Sequence, residues 1–138
     1  MTTSQPVALV TGANSGLGKF AARSLLDAGF RVVGTSRNTA ALEHNPGVTF
    51  VELDVTQDES VAAAVDAVIA QFGRIDVLVN NAGMGLAGAS EENSIAQSRR
   101  LFDINVFGVM RMTNAVLPHM RAQGGGRIVN ISSIFGLM

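Results

Sequence analysis

The segment Val7-Ala8-Leu9-Val10-Thr11-Gly12-Ala13-Asn14-Ser15-Gly16-Leu17-Gly18 runs from four apolar residues straight into a stretch holding three glycines. An apolar run without alternation suits a parallel strand covered on both faces, and the glycine- and asparagine-rich residues stop it at once. Over 17–28 the apolar residues Leu17, Phe20, Ala21, Leu25 and Ala28 recur at intervals of three and four, which predicts a helix with these residues on one face, ending at Gly29. Between strand and helix, Gly12, Gly16 and Gly18 have the spacing Gly-x-x-x-Gly-x-Gly. A tight turn, close approach by a pyrophosphate and close helix-to-sheet packing each favour a missing side chain there. The start of the helix also offers unpaired N–H groups and the positive end of its dipole to an anion. A single glycine at such a junction is ordinarily a hinge; three in this context point to a nucleotide.

The same alternation repeats outward from this segment. Residues 31–35 form a β-branched run, and after a turn at Asn45-Pro46-Gly47 residues 48–53 make a third strand. Thr56 or Asp58 is positioned to cap an alanine-rich helix over about 60–72, which Gly73-Arg74 closes. Residues 76–79 form a fourth strand, broken by Asn80-Asn81-Ala82-Gly83. A longer helical pattern carries Ile95, Leu101, Ile104, Val109 and Met112 as its stripe and continues past an interruption to Met120. Gly124-Gly125-Gly126 then precedes a fifth strand over 127–131. Strands alternating with helices predict an α/β fold, a Rossmann-type doubly wound parallel sheet with right-handed crossovers and helices on both faces.

Composition narrows the function classes. A chain of 138 residues suits one domain with one core. A net charge of -1, with both signs interspersed, gives no footprint for nucleic acid or an anionic membrane. The absence of cysteine excludes disulfides, thiol catalysis and thiolate metal sites, so redox chemistry needs a bound cofactor. The charged residues offer no clear metal cluster. The N-terminus has no basic start, and the run at 7–10 is too short for a signal-peptide core or a membrane span, so the cytoplasm is the expected compartment.

Thr11-Gly12-Ala13-Asn14-Ser15-Gly16-Leu17-Gly18 resembles the glycine motif of the short-chain dehydrogenase/reductase family, classical type. Asp54-Val55 is similar to the family's adenine-side motif after the third strand, and Asn80-Asn81-Ala82-Gly83 to its signature after the fourth. Asn105 matches an asparagine in the family's fifth helix, and Arg127-Ile128-Val129-Asn130-Ile131-Ser132-Ser133 the strand that carries its active-site serine. These matches follow one another in the family's order along the whole chain. The resemblance implies a nicotinamide-dependent oxidoreductase that moves a hydride between the cofactor and a carbonyl or secondary alcohol. It places the cofactor against Gly12, Asn14, Ser15, Gly16, Leu17 and Gly18, and against Asn81, Ala82 and Gly83.

The residues themselves sharpen this. Asp54 follows an apolar strand at the edge where open α/β sheets bind ligands, so its carboxylate is placed either to accept from an adenine amino group or to cap the turn at Thr56. Asn80 and Asn81 are either ordinary turn residues or amides that lock neighbouring loops together. The second strand ends in Thr35-Ser36-Arg37 without a carboxylate. A ribose 2′-hydroxyl is normally held by a carboxylate and a 2′-phosphate by a basic group, so Arg37, helped by Ser36, points to NADP(H) ahead of NAD(H). Ser15 stands where the family often has a second basic residue, which leaves this preference resting on Arg37. Ser133 is positioned to hydrogen-bond a substrate oxygen. His44 and His119 have no context of a nucleophile and base, and read as surface or capping residues. By the resemblance, Ser133 orients substrate, Ser132 is its structural neighbour and Asn105 supports a proton-relay water.

The family's tyrosine general acid and its lysine partner come after that serine, and this sequence has no tyrosine and only Lys19. The domain is therefore expected to be the front part, 1–138, of a longer enzyme, with the sheet incomplete on its C-terminal side and the piece by itself inactive. Apolar groups left bare at such an edge each forfeit roughly 1.5–3 kcal/mol of burial. A non-catalytic nucleotide-binding module with a regulatory or structural role is the alternative; a nonfunctional fragment or engineered scaffold is a third. The implied partners are a small carbonyl or alcohol substrate and further copies of the complete chain, as homodimer or homotetramer, with the helix over 102–120 contributing.

Overall fold

Val7, Leu9, Val33 and Leu78 lie in one apolar cluster and Ala8, Val10, Val32, Val77 and Val79 in another, because successive strand side chains leave a sheet on opposite faces. Coverage of both faces is what permits unbroken apolar runs in these strands. The structure, a computed structural model, describes residues 4–42 and 45–133. Its strands are β1 (Val7–Val10), β2 (Arg31–Ser36), β3 (Val48–Glu52), β4 (Val77–Asn80) and β5 (Arg127–Asn130), in the spatial order β3-β2-β1-β4-β5. All pairings are parallel, with Leu9 flanked by Val33 and Leu78. The helices are α1 (Gly16–Asp27), α2 (Asp58–Phe72), α3 (Ile95–Phe102) and α4 (Gly108–Ala122). Ala22 of α1 packs in the smaller cluster, while Val65 and Val68 of α2 join Met112 and Val116 of α4 in the larger one across the sheet. This is the doubly wound fold that the sequence predicts. The strand order reverses between β1 and β4, which opens a crevice at their carboxyl ends. β5 is an edge strand among the described residues, with Val129 and Ile131 exposed.

Several expected details differ. Leu17 and Phe20 are not on the buried face of α1; they are 71% and 72% exposed. The face toward the sheet is Gly18, Ala21, Ala22 and Leu25, of which Gly18 and Ala22 are fully buried. That set also obeys helical spacing, and small residues win because α1 lies so near the sheet that a larger side chain has no room. Ile95, assigned to the stripe of the long helix, is 70% exposed, and α3 has no buried residue. The interruption in that helix is a π-helical turn, Asp103–Phe107, which joins α3 to α4 without a break. Neither Thr56 nor Asp58 caps α2; Gln57 holds the N-cap position without a side-chain bond, and Asp58 and Glu59 complement the positive end of the dipole from the first turn. Gly73 ends α2 as expected, in the left-handed region at φ 78°. His44 lies outside the described residues. Among those described, no helix is long and apolar enough to cross a membrane.

One carboxylate ties the two central strands together where they start. Asp76 accepts from Arg74 through Nε at 2.8 Å and Nη2 at 2.6 Å, and from the Val7 N–H at 2.8 Å. The Arg74 bonds hold its carboxyl below the usual carboxylate range against the opposing effect of burial, and the Val7 N–H adds to them. A depressed folded-state value contributes stability that is fully present above the unfolded value, about 3.9, and is lost as pH falls through the folded one. Asp76→Asn is expected to lower stability at neutral pH by about 1–2 kcal/mol. Denaturant titrations across pH should show that deficit constant down to about pH 5 and closing below about pH 4.

Candidate nucleotide-binding and active site

The crevice is framed by one buried hydroxyl. Thr11, just past β1, accepts the N–H groups of Asn81 at 3.0 Å and Ala82 at 2.9 Å on Oγ1, and donates to the Val79 carbonyl at 3.4 Å. Asn81 returns the contact through Nδ2, which donates to the carbonyls of Thr11 and Gly12, both at 3.1 Å. The Gly12 N–H reaches Thr35 Oγ1 at 3.3 Å. The loops after β1 and β4 and the end of β2 thus form one hydrogen-bonded rim. Gly12 turns at φ 64°, and a Cβ there would stand 3.1 Å from the Ala82 Cα. A Cβ on Gly18 would overlap the Gly12 carbonyl oxygen and crowd Asn81. At the mouth of α1 the N-cap residue Ser15 makes no side-chain capping bond, and the first turn holds no acidic residue. The first-turn N–H groups lack a side-chain cap from Ser15, and the positive end of the dipole lies beside the cavity wall formed by Asn14 and Ser15.

A cavity of about 590 Å³ occupies the crevice, within the range of small-molecule sites. Gly12, Asn14 and Ser15 line it from β1; Ser36 and Arg37 from β2; Asp54 and Val55 from β3; and Asn81, Ala82 and Gly83 from β4. Of the other candidates, Gly16, Leu17, Gly18, Asn105 and Ser133 are not part of its wall. Gly16 and Gly18 shape the helix entry, and Leu17 is exposed beside it. Ser36 is buried, and its hydroxyl closes its own turn: it donates to the Asn38 carbonyl at 3.2 Å and accepts the Asn38 N–H at 3.3 Å. Arg37, by contrast, is exposed at the rim.

Asp54 makes the turn cap. Its Oδ1 accepts the Thr56 hydroxyl at 2.7 Å and the Thr56 N–H at 2.9 Å. Those two bonds, the hydroxyl first, hold its carboxyl below the usual range against burial, with the charges of Arg37 and Arg100 adding to them. The group is an acceptor at neutral pH. Arg100 is a cavity residue that the sequence reading missed. It lies one helical turn before Ile104, which also lines the cavity, but which face of that helix meets the crevice is not encoded in spacing alone. Thr11 and Thr35 were missed as well, since a threonine at a strand end looks the same whether it braces a loop or packs.

Asn105 sits inside the π-helical turn and clasps Met84, donating through Nδ2 to its carbonyl at 2.7 Å and accepting its N–H on Oδ1 at 2.9 Å. Asn80 Nδ2 donates to Asn130 Oδ1 at 2.9 Å and joins the ends of β4 and β5, while Asn81 joins the β4 loop to the β1 loop. Ser133 follows β5 at the same carboxyl end and is exposed. His119 lies in the last turn of α4, at the far end of that helix from Asn105.

Residues 6–138 match the family model for short chain dehydrogenases. The chain belongs to the short-chain dehydrogenase/reductase family. It is 46% identical over 132 residues to the 3-ketodihydrosphingosine reductase of Bacteroides thetaiotaomicron, an alignment that takes 96% of this chain and 48% of that one. A short-chain dehydrogenase structure from Streptomyces avermitilis superposes with a TM-score of 0.92 at 44% identity, covering 99% of this chain and 52% of that one. The NADP-bound structure of ElxO gives a TM-score of 0.88 at 34% identity, covering 97% and 58%. The chain spans about half the length of the curated relatives it matches.

Thr11→Val keeps the shape of the side chain and removes the acceptor for two N–H groups. It is expected to destabilise the protein by about 2–4 kcal/mol, whereas Thr11→Ser, which keeps the acceptor, costs about 1 kcal/mol or less. Chemical unfolding of the three proteins measures the difference.

Proposed function

We propose that the full-length protein is an NADP(H)-dependent oxidoreductase that interconverts a carbonyl and a secondary alcohol. The observation that carries this reading is Arg37, which lines the crevice cavity from the end of β2, where Thr35-Ser36-Arg37 supplies no carboxylate. A planar guanidinium suits a 2′-phosphate, and the open mouth of α1 suits a pyrophosphate. Gly12, Asn14 and Ser15, with the Gly16–Gly18 entry, cradle the diphosphate in this reading. Asp54 and Val55 border the adenine, and Asn81, Ala82 and Gly83 the adjoining ribose. NADPH supplies the hydride when bound. Ser133 hydrogen-bonds the substrate oxygen, and Asn105 supports a proton-relay water through the geometry of its turn. A proton donor is still needed, and the reading requires a tyrosine, which these 138 residues lack, with a lysine partner after Ser133, whereas the lysine present is Lys19 in α1. The names of two relatives, a reductase of a ketone and an NADP-bound structure, agree with this chemistry.

Calorimetric titration tests the cofactor. The full-length protein is expected to bind NADPH more tightly than NADH, and Arg37→Ala to weaken NADPH about 10- to 100-fold while sparing NADH. Equal wild-type affinities would reject the assignment. Ser133→Ala is expected to lower carbonyl reduction about 100-fold with NADPH affinity nearly unchanged, since its hydroxyl meets substrate and not phosphate. Unchanged turnover would remove Ser133 from the mechanism, and an inert full-length protein that still binds NADPH would favour a non-catalytic module.

We also propose that the helical run from α3 through α4 meets a second copy of the complete chain. Phe102, Phe107 and Met110 are exposed along it, an apolar surface larger than isolated surface residues explain. Phe102→Asp should reduce the oligomer mass of the full-length protein in sedimentation; an unchanged mass sinks the idea.

A further inference from the structure

The π-helical turn at Asp103–Phe107 is held at both ends by contacts that reach the cavity wall. At its start, Arg111 Nη1 is 2.8 Å from Asp103 Oδ1 and 3.4 Å from the Asp103 carbonyl oxygen, to which it donates. The same nitrogen donates to the Val55 carbonyl at 3.0 Å, and Nε donates to Asp58 Oδ1 at 2.8 Å. At its end, Gly108 donates its N–H to the Asp103 carbonyl and lies against Val55 so closely that a Cβ would be 2.7 Å from Val55 Cγ2. Asn105, inside the turn, grips Met84, and both Met84 and Val55 line the cavity. The contacts therefore make a closed circuit: one wall of the cavity, Arg111 and Gly108, the π turn, Asn105, and the other wall.

Ion pairing alone does not account for this arrangement. Asp58 is 86% exposed, and a pair so open to solvent adds little stability. The bond to a neutral backbone carbonyl in the cavity wall is the informative one. Only a planar group with several donors spans two backbone carbonyls and two carboxylates at once, which a lysine ammonium cannot.

We propose that Arg111 is a positioning residue that sets the spacing between the adenine-side wall at Val55 and the turn bearing Asn105, so that nucleotide binding and the placement of Asn105 depend on one joint. This rests on the nucleotide-dependent function proposed above. Because Val55 lies on the part of the site common to both dinucleotides, loss of the joint weakens NADPH and NADH alike, unlike loss of Arg37. Because Asn105 moves with the turn, turnover falls even when nucleotide is saturating.

The test uses the full-length protein, with calorimetric titration of NADPH and NADH and steady-state kinetics on a carbonyl substrate. Arg111→Met should raise both dissociation constants by about tenfold in equal proportion and lower kcat at saturating nucleotide by a similar factor, as small misplacements in a site do. Arg111→Lys should remain impaired. Gly108→Ala should act in the same direction, and adding Val55→Ala, which removes the Cγ2 that the new methyl meets at 2.7 Å, should recover part of the loss. Where Arg111→Met does not fold, this glycine-valine pair decides. Folded Arg111 variants with both affinities and kcat within about twofold of wild type, or a loss confined to NADPH, overturn the inference while the functional reading stands. A wild-type protein that binds neither dinucleotide overturns both.

Discussion

The loops after β1 and β4 have to meet at the carboxyl end of the sheet, and the Thr11 hydroxyl is where they do. A backbone N–H that leaves a strand end must find an acceptor, and those of Asn81 and Ala82 lie in the crevice rim, where the strands offer none. Thr11 supplies one oxygen for both, and Asn81 pays the contact back through its amide to the carbonyls of Thr11 and Gly12. With the β1 and β4 loops fixed to each other, the crevice keeps its width without a ligand. The remaining wall residues are then carried in on strands whose positions are already set by parallel pairing.

Close approach is the second constraint. α1 can carry its N-terminus into the crevice only because Gly18 and Ala22 let the helix axis come near the sheet. That approach displaces Leu17 and Phe20 to the helix flanks, where they are exposed. On the other face, Gly108 serves the same purpose against Val55 and brings α4 and the π turn into contact with the β3 wall.

The π turn converts one long helix into a device with a specific phase. Five residues in which the bonding pattern widens rotate α3 relative to α4. Met112, Val116 and Met120 of α4 therefore face the core while Ile95 and Phe102 of α3 face outward. Asn105 falls within the turn, and its amide satisfies both backbone groups of Met84. The segment that shifts the helix thus also ties it to the β4 loop.

Sequence alone determined the parallel α/β architecture, because a strand buried on both faces needs an unbroken apolar run and the glycine spacing admits one kind of strand-to-helix junction. It also marked Gly12, Arg37, Asp54, Asn81 and Gly83 as crevice residues, since their types announce a turn, a charge at a strand end or a loop break. Tertiary structure decided which apolar residues are core. Leu17 and Gly18 are neighbours in a helical pattern that fits either face, and the choice falls to the distance between helix and sheet. It likewise decided the roles of Thr11, Arg100 and Arg111, whose partners lie far along the chain or on other elements. A hydroxyl or a guanidinium has the same covalent form whether it faces solvent or closes a circuit, and only the packing of distant segments around it selects its partner.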